Sequence, residues 1–258
     1  MNNLLKNAVA AAAIGLTLTA GAATSGSAPS AATPPTTVVL VHGAFADGSA
    51  WNRVVPFLQA KGLKVVSVQN PLTSLADDVA ATRRVLDAQA GPVVLVGHSW
   101  GGVVISEAGQ HERVKALVYV AAFAPAEGLS VADLSKGYAT PAGSEHIVAD
   151  KEGFLTLTPE GVSKHFAQDL PAAETRLMTV TQGPVRGANF DEKTSTAAWR
   201  TRPSWFILSR QDHMIQPALQ EAMARTIGAT VVSLPTSHVP QQSRPKDVAN
   251  AIAAAASR

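Results

Sequence analysis

Ten residues, Val93-Val94-Leu95-Val96-Gly97-His98-Ser99-Trp100-Gly101-Gly102, constrain this chain more than any other stretch. Gly91-Pro92 opens a β-branched, aliphatic run of the kind that forms a strand buried on both faces. The run stops at Gly97-x-Ser99-x-Gly101, and an apolar, helix-like stretch follows from Val103 to Gly109. Strand, sharp turn and helix in that order place a serine at the apex in a strained conformation, with its hydroxyl thrust out of the sheet. The glycines two residues to either side lack a Cβ because strand and helix nearly touch there. The next backbone N–H, that of Trp100, stands at a helix N-terminus, where negative charge is stabilised. A purely structural turn is the rival reading, and the flanking strand and helix weigh against it.

The rest of the chain fits around that elbow. Its 258 residues suit one α/β domain with a large core. Thr37 to Val41 predicts a strand ending in His42-Gly43-Ala44-Phe45, and Ser49 is a candidate N-cap for a helix from Ala50 to about Lys61. Leu63–Val68, Val114–Val120, Ser204–Ser209 and Thr230–Leu234 predict further strands; Leu75–Gln89, Pro217–Ile227 and a stretch from Pro245 predict helices. Such alternation gives βαβ units and a mainly parallel central sheet with helices on both faces, over residues 37–258. The rhythm breaks at about 125–201, where short helical pieces such as Pro159–Gln168 and Ala172–Thr181 are interrupted by Gly and Pro and no strong strand is evident. A small, mostly helical cap over the active-site end of the sheet is expected there.

Functional loops in such sheets lie at the carboxyl ends of the strands. Three of them carry what a serine nucleophile needs: Ser99 after the central strand, Asp212 after the next-to-last and His238 after the last. A serine hydroxyl needs a neutral imidazole to take its proton, and the carboxylate would fix the tautomer of that imidazole. Backbone N–H groups of Trp100 and Ala44 are the candidate oxyanion donors, with Phe45 the alternative to Ala44. Gly43 is expected to leave room for the substrate oxygen. Phe45, Trp100, Phe123 and Met214 are candidate substrate-binding residues, although the Trp100 indole could instead pack beneath the elbow. His213 is a rival base that shares a loop with the acid. His42 and His98 read as structural; His111, His146 and His165 read as surface residues without acidic partners. With no HExxH and no clustered carboxylates, neither a metal nor a cofactor is expected.

The run Val38-Val39-Leu40-Val41-His42-Gly43-Ala44-Phe45 with Trp51, the elbow, and the Asp212 and His238 positions resemble an α/β-hydrolase. The resemblance is greatest to the small-esterase branch that includes plant methylesterases and hydroxynitrile lyases. It covers about residues 37–122 and 203–257. It implies cofactor-free cleavage of a small or medium carboxylic ester through an acyl-enzyme, and supports Ala44 as second oxyanion donor. Lactonase, thioesterase or amidase chemistry would use the same residues, and a cofactor-free oxygenase or a non-catalytic small-molecule binding protein could share the scaffold. The resembled lyases carry a lysine after the catalytic histidine and a threonine in place of Gly43; here Val239 follows His238. Without an ammonium to stabilise cyanide, lyase chemistry is disfavoured.

Composition bears on address and partners. Lys and Arg total 21 and Asp and Glu 19, a net +2 with no basic cluster, so nucleic acid and anionic membranes lack support as partners. Lys6, the apolar stretch Ala8–Leu18 and Ala20-Gly21-Ala22 match a signal peptide over 1–22, followed by a flexible leader over 23–36. Export to the periplasm or medium is therefore expected, with no stable membrane insertion, because the stretch is too short and alanine-rich to span a bilayer. The absence of cysteine rules out disulfides, a thiolate nucleophile and a lipidated N-terminal cysteine. No feature of the sequence sets the number of subunits.

Overall fold

Runs of buried aliphatic residues build the sheet that positions the elbow. The computed structural model describes residues 35–258; the expected signal peptide, and all but the last two residues of the expected leader, lie outside them. In chain order the strands are β1 (Thr37–Val41), β2 (Lys64–Val68), β3 (Val93–His98), β4 (Val114–Val120), β5 (Ile147–Ala149), β6 (Phe154–Leu157), β7 (Val185–Arg186), β8 (Ser204–Ser209) and β9 (Thr230–Leu234). Six form one sheet in the order β2-β1-β3-β4-β8-β9, every pairing parallel. β1, β3 and β8 are buried along their whole length, which is why they read as continuous apolar runs rather than alternating ones.

Helices α1 (Val55–Gln59), α2 (Leu75–Asp87), α3 (Gly101–Ala108), α4 (Val131–Ser135), α5 (Pro159–Gly161), α6 (Ala172–Thr181), α7 (Pro217–Thr226), α8 (Pro240–Ser243) and α9 (Pro245–Ala256) complete the regular structure. Period-two alternation divides the core. Val39, Val41, Leu95, Leu117 and Phe206 pack with Val79, Ile105 and Met223 from α2, α3 and α7. Val38, Leu40, Val94, Val96 and Ile207 pack instead with Leu58 of α1 and Val248 and Ile252 of α9. Helices therefore cover both faces. Among the described residues none is long and apolar enough to cross a membrane.

Two local expectations need correction. The helix expected from Ala50 is broken into a 3-10 turn, Gly48–Trp51, and the short α1. Asp47, not Ser49, is the cap: its carboxylate accepts the Ser49 N–H at 2.6 Å. Pro56 lacks the N–H that a continuous helix would give to the carbonyl of Asn52. Within 125–201, short helices are joined by an antiparallel sheet, β5-β6-β7, pairing Ile147 with Leu157 and Leu155 with Val185. The stretch from Pro159 is α-helical only to Gly161 and widens into a π turn over Val162–Phe166.

Candidate active site

Ser99 sits at φ +52°, in the left-handed region that a residue with a Cβ rarely occupies. The tight turn is held by its own backbone: its N–H donates to Val120 O at 3.2 Å, and its carbonyl accepts from Gly102 N at 3.0 Å and Phe123 N at 3.2 Å. A Cβ on Gly101 would stand 2.5 Å from the carbonyl oxygen of Val41, so the end of β1 lies hard against the elbow. Gly43 belongs to the same contact. A Cβ there would fall 2.7 Å from Ser99 Cβ and 2.9 Å from His98 O. Its lack of a side chain thus makes room for the serine itself rather than for a substrate oxygen.

His238 and Asp212, carried on the loops after β9 and β8, meet at 2.7 Å between Nδ1 and Oδ2. Both are buried. Asp212 is held by three further donors: Met214 N at 2.7 Å, Ile215 N at 3.0 Å and the side-chain amide of Gln220 at 2.7 Å. With Nδ1–H donating to the carboxylate, Nε2 keeps its lone pair. Ser99 and His238 line one apolar cavity of about 200 Å³ together with Ala44, Phe45, Phe123 and Met214. Val131, Ile147 and Phe190 enclose it from the segment between β4 and β8. A hydroxyl, an imidazole backed by a carboxylate, and backbone amides at one apolar cavity can together carry out acyl transfer.

The amides of Ala44 and Trp100 have no hydrogen-bond acceptor among the described residues, and neither has that of Phe45. The Trp100 side chain does not line the cavity, which corrects its place among the substrate-binding candidates. Its indole is wholly buried, donates to Asp78 Oδ2 at 2.7 Å, and meets Phe190 edge-on with ring centroids 5.7 Å apart.

The other histidines fall into two groups. His42 is locked by two hydrogen bonds, Nδ1–H to Gly43 O at 2.9 Å and Nε2 from Asn70 N at 2.9 Å, and burial lowers its pKa. His98, also buried, bonds the main chain of His238. His213 is exposed and does not line the cavity; its ring lies 5.4 Å from that of His165, which stacks on His146 at 4.7 Å. His111 does have an acidic partner, Asp87, at 3.0 Å. Sequence reasoning missed Gln220, Asp78 and Asp169, whose carboxylate accepts Ser237 N at 2.9 Å, one residue before His238. Nothing in the local pattern marks any of the three.

A parallel sheet with a serine elbow after its central strand, and aspartate and histidine after its last two, is the architecture of the α/β-hydrolases. The chain belongs to that group: the model of the alpha/beta hydrolase family matches residues 38–251. Among its relatives, the pyrethroid hydrolase of Sphingobium wenxiniae is 29% identical over 246 residues, spanning 84% of this chain and 86% of that protein. Methylesterase 2 of Arabidopsis thaliana is 25% identical over 243 residues, spanning 81% and 91%. The crystal structure of a pyrethroid hydrolase from Sphingobium faniae aligns with a TM-score of 0.73 at 25% identity, covering 86% of this chain and 98% of that one.

Proposed function

We propose that this protein is a serine hydrolase of small or medium carboxylic esters. Ser99 Oγ attacks the ester carbonyl while His238 Nε2 takes its proton, and Asp212 holds and stabilises the imidazolium. Backbone N–H groups of Ala44 and Trp100 stabilise the oxyanion. His238 then protonates the departing alcohol, and water activated by the same imidazole releases the acid from Ser99. The observation that carries this reading is the 2.7 Å His238–Asp212 bond next to a cavity that Ser99 and His238 share. The relatives named pyrethroid hydrolase and methylesterase support ester cleavage.

Size supports the substrate class. The catalytic cavity adjoins a second one, also about 200 Å³, and the two share Phe123, Ser135, Pro141, Met214 and Ile215 in their walls. Together they reach the lower range of cavities that enclose a drug-sized ligand. Changing Ser99→Ala is expected to lower turnover of p-nitrophenyl butyrate by about 10⁶-fold, the scale set by a comparable triad. A fluorophosphonate probe should label the parent and not the variant; substantial turnover by the variant would refute the assignment. The proposal includes export. N-terminal sequencing of protein recovered from periplasm or medium should begin at Ala23, and an intact Met1 there would count against it.

A further inference from the structure

Behind the elbow lies a carboxyl group that the proposed chemistry does not use. Asp78, in the first turn of α2, is fully buried. Its Oδ2 accepts the indole N–H of Trp100 at 2.7 Å and its Oδ1 accepts the N–H of Leu72 at 2.8 Å. Among the described residues no cation pairs with it, and its charged neighbours, Asp77 and Glu192, are both acidic. Each bond leads somewhere useful. Trp100 supplies a proposed oxyanion donor, and its ring backs Phe190 in the cavity wall. Leu72 is held at φ +59°, and its carbonyl accepts from Arg186 N at 2.9 Å and from the Asn189 amide at 3.2 Å, immediately before Phe190.

We infer that Asp78 is a positioning residue for the oxyanion site, tying the Trp100 indole on one oxygen and the Leu72 turn that carries the Phe190 wall on the other. The inference rests on the ester-hydrolase reading above. Two N–H donors converge on Asp78, so two acceptor oxygens are required. An asparagine offers one acceptor and sets its own N–H groups against the remaining donor. A backbone amide stabilises an oxyanion only when held at about 2.7–3.1 Å from it, so releasing the Trp100 indole weakens the transition state more than the bound substrate.

The test uses Asp78→Asn, Trp100→Phe, their double variant and Ser99→Ala, with kcat and KM measured on p-nitrophenyl butyrate. Fluorophosphonate labelling counts competent sites and circular dichroism confirms folding. Asp78→Asn is expected to lower kcat per labelled site about 10- to 100-fold, part of what a lost oxyanion donor costs, with KM changed by less than about twofold. Once Trp100→Phe has removed the indole N–H, adding Asp78→Asn should cost less than about threefold more, because the opposed donor is gone. Parent-like kcat in Asp78→Asn, additive losses, or an effect confined to KM would overturn the inference. If Asp78→Asn does not fold, Trp100→Phe decides alone: it loses the same hydrogen bond, and an unchanged kcat would overturn the inference. An active Ser99→Ala would instead defeat the ester-hydrolase reading itself.

Discussion

The Nε2–H of His98 donates to the carbonyl oxygen of His238 across 2.8 Å, with the two rings 4.8 Å apart. His98 immediately precedes Ser99, so the end of β3 that presents the hydroxyl also fixes the backbone of the imidazole. Complete burial and the neighbouring His238 hold the His98 pKa well below 6.5, so it remains a neutral, one-proton donor. His98→Ala should therefore lower both stability and turnover. Leaving the His238 carbonyl without a buried partner costs about 1–3 kcal/mol, read by urea unfolding. We expect kcat to fall at least about tenfold, the effect of roughly 1.4 kcal/mol in the transition state. His98→Gln, which can still donate, should retain more of both.

Gln220 holds Asp212 from the other side. Its amide N–H groups bond Asp212 Oδ2 at 2.7 Å and Ile215 O at 3.0 Å, while its carbonyl oxygen accepts Ser209 N at 3.1 Å. Gln220→Ala removes one of four donors from Asp212 and strands a buried N–H. A loss of about 1–3 kcal/mol in stability is expected, together with a shift of the kcat/KM pH profile as the carboxylate is less well held. An unchanged pH profile would show that the remaining three donors suffice.

The elbow was legible because its chemistry is local: Gly97, Ser99 and Gly101 lie within five consecutive residues. Asp212 and His238 were legible because each follows a β-rich run, the wholly buried β8 or the largely exposed β9. Side chains that act across the fold were not. Gln220 reaches Asp212 over 8 positions, Trp100 reaches Asp78 over 22, and Asp169 reaches Ser237 over 68. Residue spacing does not mark those partnerships, which is why the direction of the Trp100 indole stayed open. The sheet β5-β6-β7 was missed for another reason: strands of three, four and two residues are too short to show alternation.

Gly43 offers a sharp steric test. A methyl group there would meet Ser99 Cβ at 2.7 Å and the His98 carbonyl at 2.9 Å, and neither backbone position can yield without opening the elbow. Gly43→Ala should cost about 1–3 kcal/mol, as overpacking does, and suppress fluorophosphonate labelling of Ser99. Labelling at the parent rate would mean that β1 and the elbow can separate without loss of geometry.

Met214 stands in the wall common to both cavities, two residues beyond Asp212, to which its backbone N–H donates at 2.7 Å. Its thioether is unbranched and adaptable, suited to a partition that substrate can displace. Met214→Ala should join the two spaces and shift preference toward longer acyl or alcohol groups, measured as kcat/KM across p-nitrophenyl esters of increasing chain length. A gain for octanoate over butyrate of about tenfold is expected, within the discrimination that a few methylenes give in an apolar pocket. A uniform loss across the series would show that Met214 serves the Asp212 loop rather than the cavity.

The buried carboxyl of Asp78 makes stability depend on pH. Desolvation raises its pKa from 3.8 to about 6, against the opposing bonds from Trp100 and Leu72, with Asp77 and Glu192 adding to the rise. Because the folded state binds this proton more tightly than the unfolded chain, the group favours folding at low pH and loses that contribution as pH rises from about 4 to about 6. A shift of this size corresponds to about 3 kcal/mol. Asparagine does not titrate. The stability of the parent relative to Asp78→Asn should therefore fall by that order between pH 4 and pH 7, whatever the two absolute values are, since groups common to both proteins cancel in the difference. Urea unfolding of both at the two pH values measures it. A difference that stays constant would mean that Asp78 keeps an ordinary carboxylate pKa beneath the elbow, and that its two N–H partners compensate its burial in full.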